Sequence, residues 1–184
     1  REILKITLDD QVISFAGGLP NRAFFPTREL QQAANQVFAE HGSGCLQYSN
    51  SEGLLELREW IADRYAIRHR INLDPKNIII TTGSQQALDL IARITLNDGD
   101  QVVIEEPGNL GAIQALSLYR PRFLPVAVTE AGMELEPLQH CLTQHQPKLI
   151  YAVPNFQNPS GISYSADTRR EIGRMIEGRA LLLI

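Results

Sequence analysis

From residue 78 onward, short apolar runs alternate with stretches of helical spacing, and this predicts an α/β protein on a mainly parallel sheet with helices on both faces. Five runs read as strands: Ile78-Ile79-Ile80-Thr81, Gln101-Val102-Val103-Ile104-Glu105, 123–128, Leu149-Ile150-Tyr151-Ala152-Val153 and Ala180-Leu181-Leu182-Leu183-Ile184. The connections between them are long enough for a crossover helix, which parallel neighbours need and a tight hairpin does not. The strand runs are also almost wholly apolar rather than alternating, as expected of strands covered on both sides.

Each element has a local reason. Residues 1–26 are irregular, interrupted by Gly17-Gly18-Leu19-Pro20 and again at Pro26. Thr27 is a fair N-cap for a helix over about 27–40, with Leu30, Ala33, Ala34, Val37 and Phe38 on one stripe, and His41-Gly42-Ser43-Gly44 ends it. Leu54, Leu57, Ile61 and Tyr65 recur at helical steps to about residue 69. Further helices are expected over about 85–96, 111–119, 134–145 and 166–177, and Asn97-Asp98-Gly99-Asp100 is a turn.

Bulk properties exclude several classes. The 184 residues carry a net charge of −4 without a basic cluster, so nothing here draws nucleic acid or an anionic membrane. No apolar stretch reaches the roughly 18–20 residues of a membrane span, and Arg1-Glu2-Ile3-Leu4-Lys5 is no signal peptide. Two cysteines, Cys45 and Cys141, stand far apart, which together with the missing glycosylation acceptor leads us to expect a reduced, cytoplasmic protein. The chain starts without methionine and ends on an apolar run with no turn signal, which reads as a fragment of a longer protein.

In sheets of this kind ligands gather beyond the carboxyl ends of strands. The first strand-to-helix loop is Thr81-Thr82-Gly83-Ser84-Gln85-Gln86-Ala87. Gly83 permits a tight turn, and the helix start adds free N–H groups, the dipole and the Ser84 hydroxyl, which together suit a phosphate. Read blandly, Ser84 is only an N-cap. One glycine and no Gly-Lys-Ser/Thr exclude a P-loop and a dinucleotide fingerprint.

The second loop, Glu105-Glu106-Pro107-Gly108-Asn109-Leu110-Gly111, would set residue 109 over whatever the first loop holds, although Pro-Gly-Asn is also plain turn chemistry. The third, Val153-Pro154-Asn155-Phe156-Gln157-Asn158-Pro159-Ser160-Gly161, is richer than a turn requires. Pro159 restrains the backbone of Asn158, whose amide can hold a phenolate-type oxygen or a carboxylate, the bland alternative being an Asx cap. His140, His145 and Cys141 make a poor metal site, because the histidines fall on different helix faces. Glu105 and Glu106 are adjacent in a strand and should point to opposite faces.

Taken together these loops resemble the fold-type I pyridoxal-phosphate (PLP) aminotransferases, in particular the class I group around 2-aminoadipate aminotransferase. The resemblance spans nearly the whole chain. Ile13-Ser14-Phe15-Ala16-Gly17-Gly18-Leu19-Pro20 with Phe25-Pro26 is similar to the family's N-terminal segment, and Leu46-Gln47-Tyr48-Ser49 with Gly53-Leu54 and Leu57-Arg58 to its dimer-crossing loop and first helix. Thr81–Leu90 and Pro154–Gly161 resemble the phosphate loop and the asparagine loop.

The resemblance implies a truncated PLP-transferase (aspartate aminotransferase-like) large domain over 51–184, preceded by an arm and small-domain segment over 1–50. It implies that Gly83, Ser84 and Gln85 bind the phosphate of pyridoxal 5'-phosphate and that Tyr48 reaches that phosphate from a second subunit, hence a homodimer. Asn158 would bond the ring oxygen O3′ near the substrate carboxylate, and Gly18 would line the substrate pocket. The reaction implied moves an amino group from an amino acid to a 2-oxo acid.

Two departures stand out. Asn109 lies where the family usually stacks an aromatic residue on the cofactor ring, at a cost of ~1 kcal/mol in binding. Only Lys5, Lys76 and Lys148 occur, and none is placed to be the Schiff-base lysine, so the fragment alone is expected to be inactive. The alternative is a piece of the aminotransferase-like, effector-sensing domain of a GntR/MocR-type transcriptional regulator.

Overall fold

A computed structural model describes residues 20–184, which divide into two compact units after Ile80. In the first unit, helix α1 (Thr27–His41) ends where Gly42 turns to φ +54 and returns its N–H to the Phe38 carbonyl. Helix α2 (Leu55–His69) ends similarly on Arg70 at φ +58. Arg58 is the polar anchor of this unit. It is buried, and its guanidinium donates to the carbonyls of Gly53 (3.2 Å) and Pro75 (3.1 Å).

One expected strand is absent. Ile78 is extended, but residues 78–81 form no strand and among the described residues none pairs with them; the Ile80 N–H instead donates to Glu52 O at 2.9 Å. An apolar run encodes extension and partial burial, whereas a strand also needs a neighbour's ladder, which no local pattern supplies. Gly53 sits at φ +96 directly against Ile80, so that a Cβ there would overlap the isoleucine side chain.

The second unit carries the sheet, in the order β3-β2-β1-β4-β5. Strands β1 (Gln101–Glu106), β2 (Arg122–Thr129), β4 (Leu149–Tyr151) and β5 (Leu182–Leu183) run parallel to one another. The short β3 (Gly132–Met133) runs antiparallel to β2 and is an addition to the expected set. Its turn needs Gly132 at φ +114, packed against the Tyr164 ring.

Helices α3 (Ser84–Thr95), α4 (Leu110–Ser117), α5 (Leu135–Gln144) and α6 (Ala166–Ile176) cover both faces. Val102 and Leu149 pack with Ala92, Leu96 and Leu116 of the α3/α4 layer. Their strand neighbours Val103 and Ile150 pack with Leu138, Leu142 and Ile172 of the α5/α6 layer. Successive strand residues thus feed opposite cores, as the pleat requires. Burying a side chain such as Leu116 or Leu138 completely stabilises the fold by about 2 kcal/mol each. Among the described residues no helix is long and apolar enough to cross a membrane.

Candidate functional site

The start of α3 is built on backbone. Gly83 holds φ +85 and ψ 173, a conformation essentially confined to glycine, and nothing lies within 4 Å of where its Cβ would be. The cap is therefore Gly83 itself, and Ser84 is the first helical residue, which removes the reading of Ser84 as the N-cap. Gln86, three residues after the cap, reaches back so that its Oε1 accepts from the Thr82 N–H (2.6 Å) and the Thr82 hydroxyl (2.8 Å). That is capping-box logic shifted by one residue. It settles the turn and leaves Ser84 and Gln85 exposed, with no hydrogen-bond partner for the Ser84 hydroxyl among the described residues.

The loop after β1 meets this helix start. Gly108 passes so close to the Glu105 carbonyl that a Cβ would lie 2.6 Å from that oxygen. Asn109 then caps α4, its Oδ1 accepting from the Ala112 N–H at 3.1 Å. A Cβ on Gly111 would overlap the Gln85 amide and stand 3.1 Å from Asn109 Oδ1. Gln85 and Asn109 are thus brought together across Gly111.

The third loop is held by side chains far away in sequence. Glu105 is 2 % exposed, whereas Glu106 faces solvent, as alternation along the strand predicts. Glu105 Oε1 accepts from the Val153 N–H (2.9 Å) and the Tyr164 hydroxyl (2.6 Å), and Oε2 from Gln157 Nε2 (3.0 Å). Gln157 Nε2 also donates to Pro107 O at 2.7 Å, which ties the third loop to the second. Burial first, and then the bond to Glu105, hold the Tyr164 hydroxyl far above the usual tyrosine range, so it remains a donor. Arg169 braces the other side, donating to Pro154 O (2.6 Å) and Asn155 Oδ1 (2.7 Å).

The two asparagines of this loop therefore differ. Asn155 is occupied by Arg169, while Asn158 is exposed and has no side-chain partner among the described residues. Phe156 between them takes φ +49, an unusual conformation for a bulky residue.

Among the residues singled out in the sequence, Gly83, Ser84, Gln85 and Asn109 cluster, and Asn158 lies on a loop bonded to theirs. Tyr48 is almost fully exposed (99 %) in the first unit, and Gly18 lies outside the described residues. Lys148 flanks the amino end of β4, opposite the site loops, Lys76 is exposed in the Pro75–Asn77 turn, and Lys5 lies outside the described residues. Glu105, Gln157 and Tyr164 were missed by sequence reasoning. The one available signal was a carboxylate at the end of an otherwise apolar strand run.

Chemically, the α3 start offers N–H groups, a hydroxyl and a helix dipole to a phosphate, and Asn158 offers an unengaged amide to an anionic oxygen. These donors gather at the carboxyl edge of a parallel sheet. The sequence model for "Aminotransferase class I and II" matches residues 11–184, and the chain belongs to that family.

The chain is 40% identical to a 2-aminoadipate transaminase of Thermus thermophilus over its full length, covering 45% of that relative. It is 30% identical, again over its full length, to a helix-turn-helix-type transcriptional regulator of Escherichia coli, YdcR, of which it covers 39%. Among solved structures, a kynurenine aminotransferase of Pyrococcus horikoshii in complex with PMP superposes with a TM-score of 0.91 at 35% identity, over 100% of this chain and 46% of that one. The alpha-aminoadipate aminotransferase LysN of Thermus thermophilus, complexed with N-(5'-phosphopyridoxyl)-L-leucine, gives 0.87 at 38% identity, over 98% of this chain and 45% of that one. The chain thus spans a little under half the length of these relatives. Pyridoxal phosphate is the cofactor these comparisons assign to the fold.

Proposed function

We propose that these residues form the phosphate-binding half of an enzyme that transfers an amino group from an amino acid to a 2-oxo acid. The observation that carries this reading is that Ser84 and Gln85 stand exposed on the open start of α3, while Asn158 keeps an unengaged amide on a loop that Gln157 ties to the Asn109 loop. Ser84, Gln85 and the N–H groups after Gly83 hold the cofactor phosphate, and Tyr48 of a second copy approaches it in a homodimer. Asn158 holds the ring O3′ oxygen near the substrate carboxylate, Asn109 lies over the ring, and Gly18 lines the substrate pocket. When bound, the cofactor supplies the electron sink for removal of the substrate α-proton. The dimer is cytoplasmic, with residues 1–50 as arm and small-domain segment and 51–184 as the first part of the large domain.

The test is cofactor titration of the full-length protein. Ser84→Ala raises the dissociation constant for pyridoxal phosphate about tenfold, the weight of one hydrogen bond to a charged group. Unchanged affinity in both Ser84→Ala and Asn158→Ala would overturn the reading. The 184 residues by themselves are inactive, and borohydride treatment with the cofactor gives no stoichiometric lysine adduct; a single labelled lysine would refute that.

A second reading rests on the 30% identity to the helix-turn-helix-type regulator, in which the same half-site belongs to an effector-sensing domain. Sequence-specific DNA binding by the full-length protein, altered by the cofactor, would favour it over the enzyme.

A further inference from the structure

Glu105 is a buried carboxylate to which the reading above gives no task. Among the described residues no lysine or arginine lies within ion-pair range of it; three neutral donors satisfy it instead. All three come from the segment that carries Asn158: the Val153 N–H just past β4, Gln157 immediately before Asn158, and Tyr164 after the loop. Gln157 is fixed at both ends of its amide, because its Oε1 also accepts from the Ser160 N–H at 2.8 Å and from the Ser160 hydroxyl. The residue before Asn158 and the one two places after it are thus locked, while the Asn158 side chain has no partner of its own among the described residues. Its direction is set through the backbone.

We propose that Glu105 is a positioning residue that, through Gln157, Tyr164 and the Val153 N–H, aims the Asn158 amide at the cofactor oxygen and sets its distance from the Asn109 loop. This inference rests on the cofactor role proposed for Asn158. The shape of the network supports it. At the carboxyl end of β4, where sheet pairing stops, the Glu105 side chain takes the place of the neighbouring strand for Val153. Through Gln157 the same carboxylate reaches Pro107 O, so one group sets the register of two site loops. Because Tyr164 stays protonated well above neutrality, its hydroxyl remains a donor to Glu105 there.

The experiment uses the full-length protein and the variants Glu105→Gln, Tyr164→Phe and Asn158→Ala. An amide at 105 turns an N–H₂ toward one of the donors it now accepts from, so the latch opens while the side-chain volume is kept. Two readouts are taken: backbone hydrogen exchange at Ser160 and Gly161 in the cofactor-free protein, and the pH midpoint of the bound cofactor's visible absorption. In Glu105→Gln, exchange at Ser160 and Gly161 quickens about tenfold, with α5 unchanged. The midpoint moves in the same direction as in Asn158→Ala but by less, and the double variant moves no further than Asn158→Ala alone. Tyr164→Phe gives a smaller version of both effects and serves if Glu105→Gln does not fold. Wild-type exchange rates overturn the latch. Faster exchange with an unmoved midpoint, where Asn158→Ala does move it, overturns the positioning role. A wild-type midpoint in Asn158→Ala instead overturns the cofactor reading of Asn158, and the exchange rates still decide the latch.

Discussion

The loop before α3 and the loop after β4 present polar groups at the same edge of the sheet by opposite means. The first is shaped by residues next to one another in sequence. Gly83 turns at φ +85, Gln86 reaches back four residues to Thr82, and every hydrogen bond that shapes it is local. The second is made of side chains. Glu105 grips Val153, Gln157 and Tyr164 across 48, 52 and 59 residues of chain. A locally built site depends on its own few residues, whereas a tethered site fails when one distant residue is lost.

The largest expected effect follows from that contrast. Glu105→Ala leaves the Tyr164 hydroxyl, the Gln157 amide and the Val153 N–H without their common acceptor. Each unsatisfied buried donor costs about 1–3 kcal/mol, so the loss is about 3 kcal/mol or more, read as a lower urea midpoint. A change under ~1 kcal/mol would mean that water replaces the carboxylate and that the tether carries little.

On the backbone side, Gly83→Ala costs about 2 kcal/mol, within the range for a non-glycine residue forced into this region. Nothing lies within 4 Å of the new Cβ, so the cost is purely conformational. Phosphate affinity falls with it while hydrogen exchange at Ser160 and Gly161 stays at the wild-type rate, which separates the two loops experimentally.

Tyr164→Phe is milder, at about 1.5 kcal/mol near neutral pH, since Glu105 keeps two donors. It also carries a pH signature. The folded state holds the Tyr164 hydroxyl above its ordinary value, so only the unfolded chain releases that proton as the pH passes ~10, and stability falls with rising pH. Urea midpoints above pH ~10 should drop less steeply in Tyr164→Phe than in the wild type. Equal slopes would place the alkaline loss elsewhere.

The same contrast explains what could be read in the sequence. The turn at Gly83 and the helix start after it were legible because glycine, hydroxyl and helical spacing are contiguous, and the parallel core was legible from the apolar runs that became β1, β2 and β4. The grip of Glu105 was not, because its partners lie 48 to 59 residues away, and only folding brings them to one carboxylate. The segment 78–81 misled for a related reason: Ile78-Ile79-Ile80 has strand composition, but pairing belongs to a partner. Two-residue β3 lay below any periodicity signal.

Asn109 joins the two kinds of site, and the smallest effects are expected there. Its side chain accepts from the Ala112 N–H, so it works as a helix cap. Asn109→Ala costs about 1 kcal/mol of stability, the weight of one N-cap, and Asn109→Ser restores most of it. Asn109→Tyr loses the cap as well but gains a face for the cofactor ring, worth ~1 kcal/mol or about fivefold in cofactor affinity. The variant should therefore be less stable without cofactor and bind pyridoxal phosphate more tightly, two opposite shifts that thermal melts with and without cofactor resolve. Lower stability without tighter binding would show that residue 109 does not lie over the ring and that its task here is the cap alone.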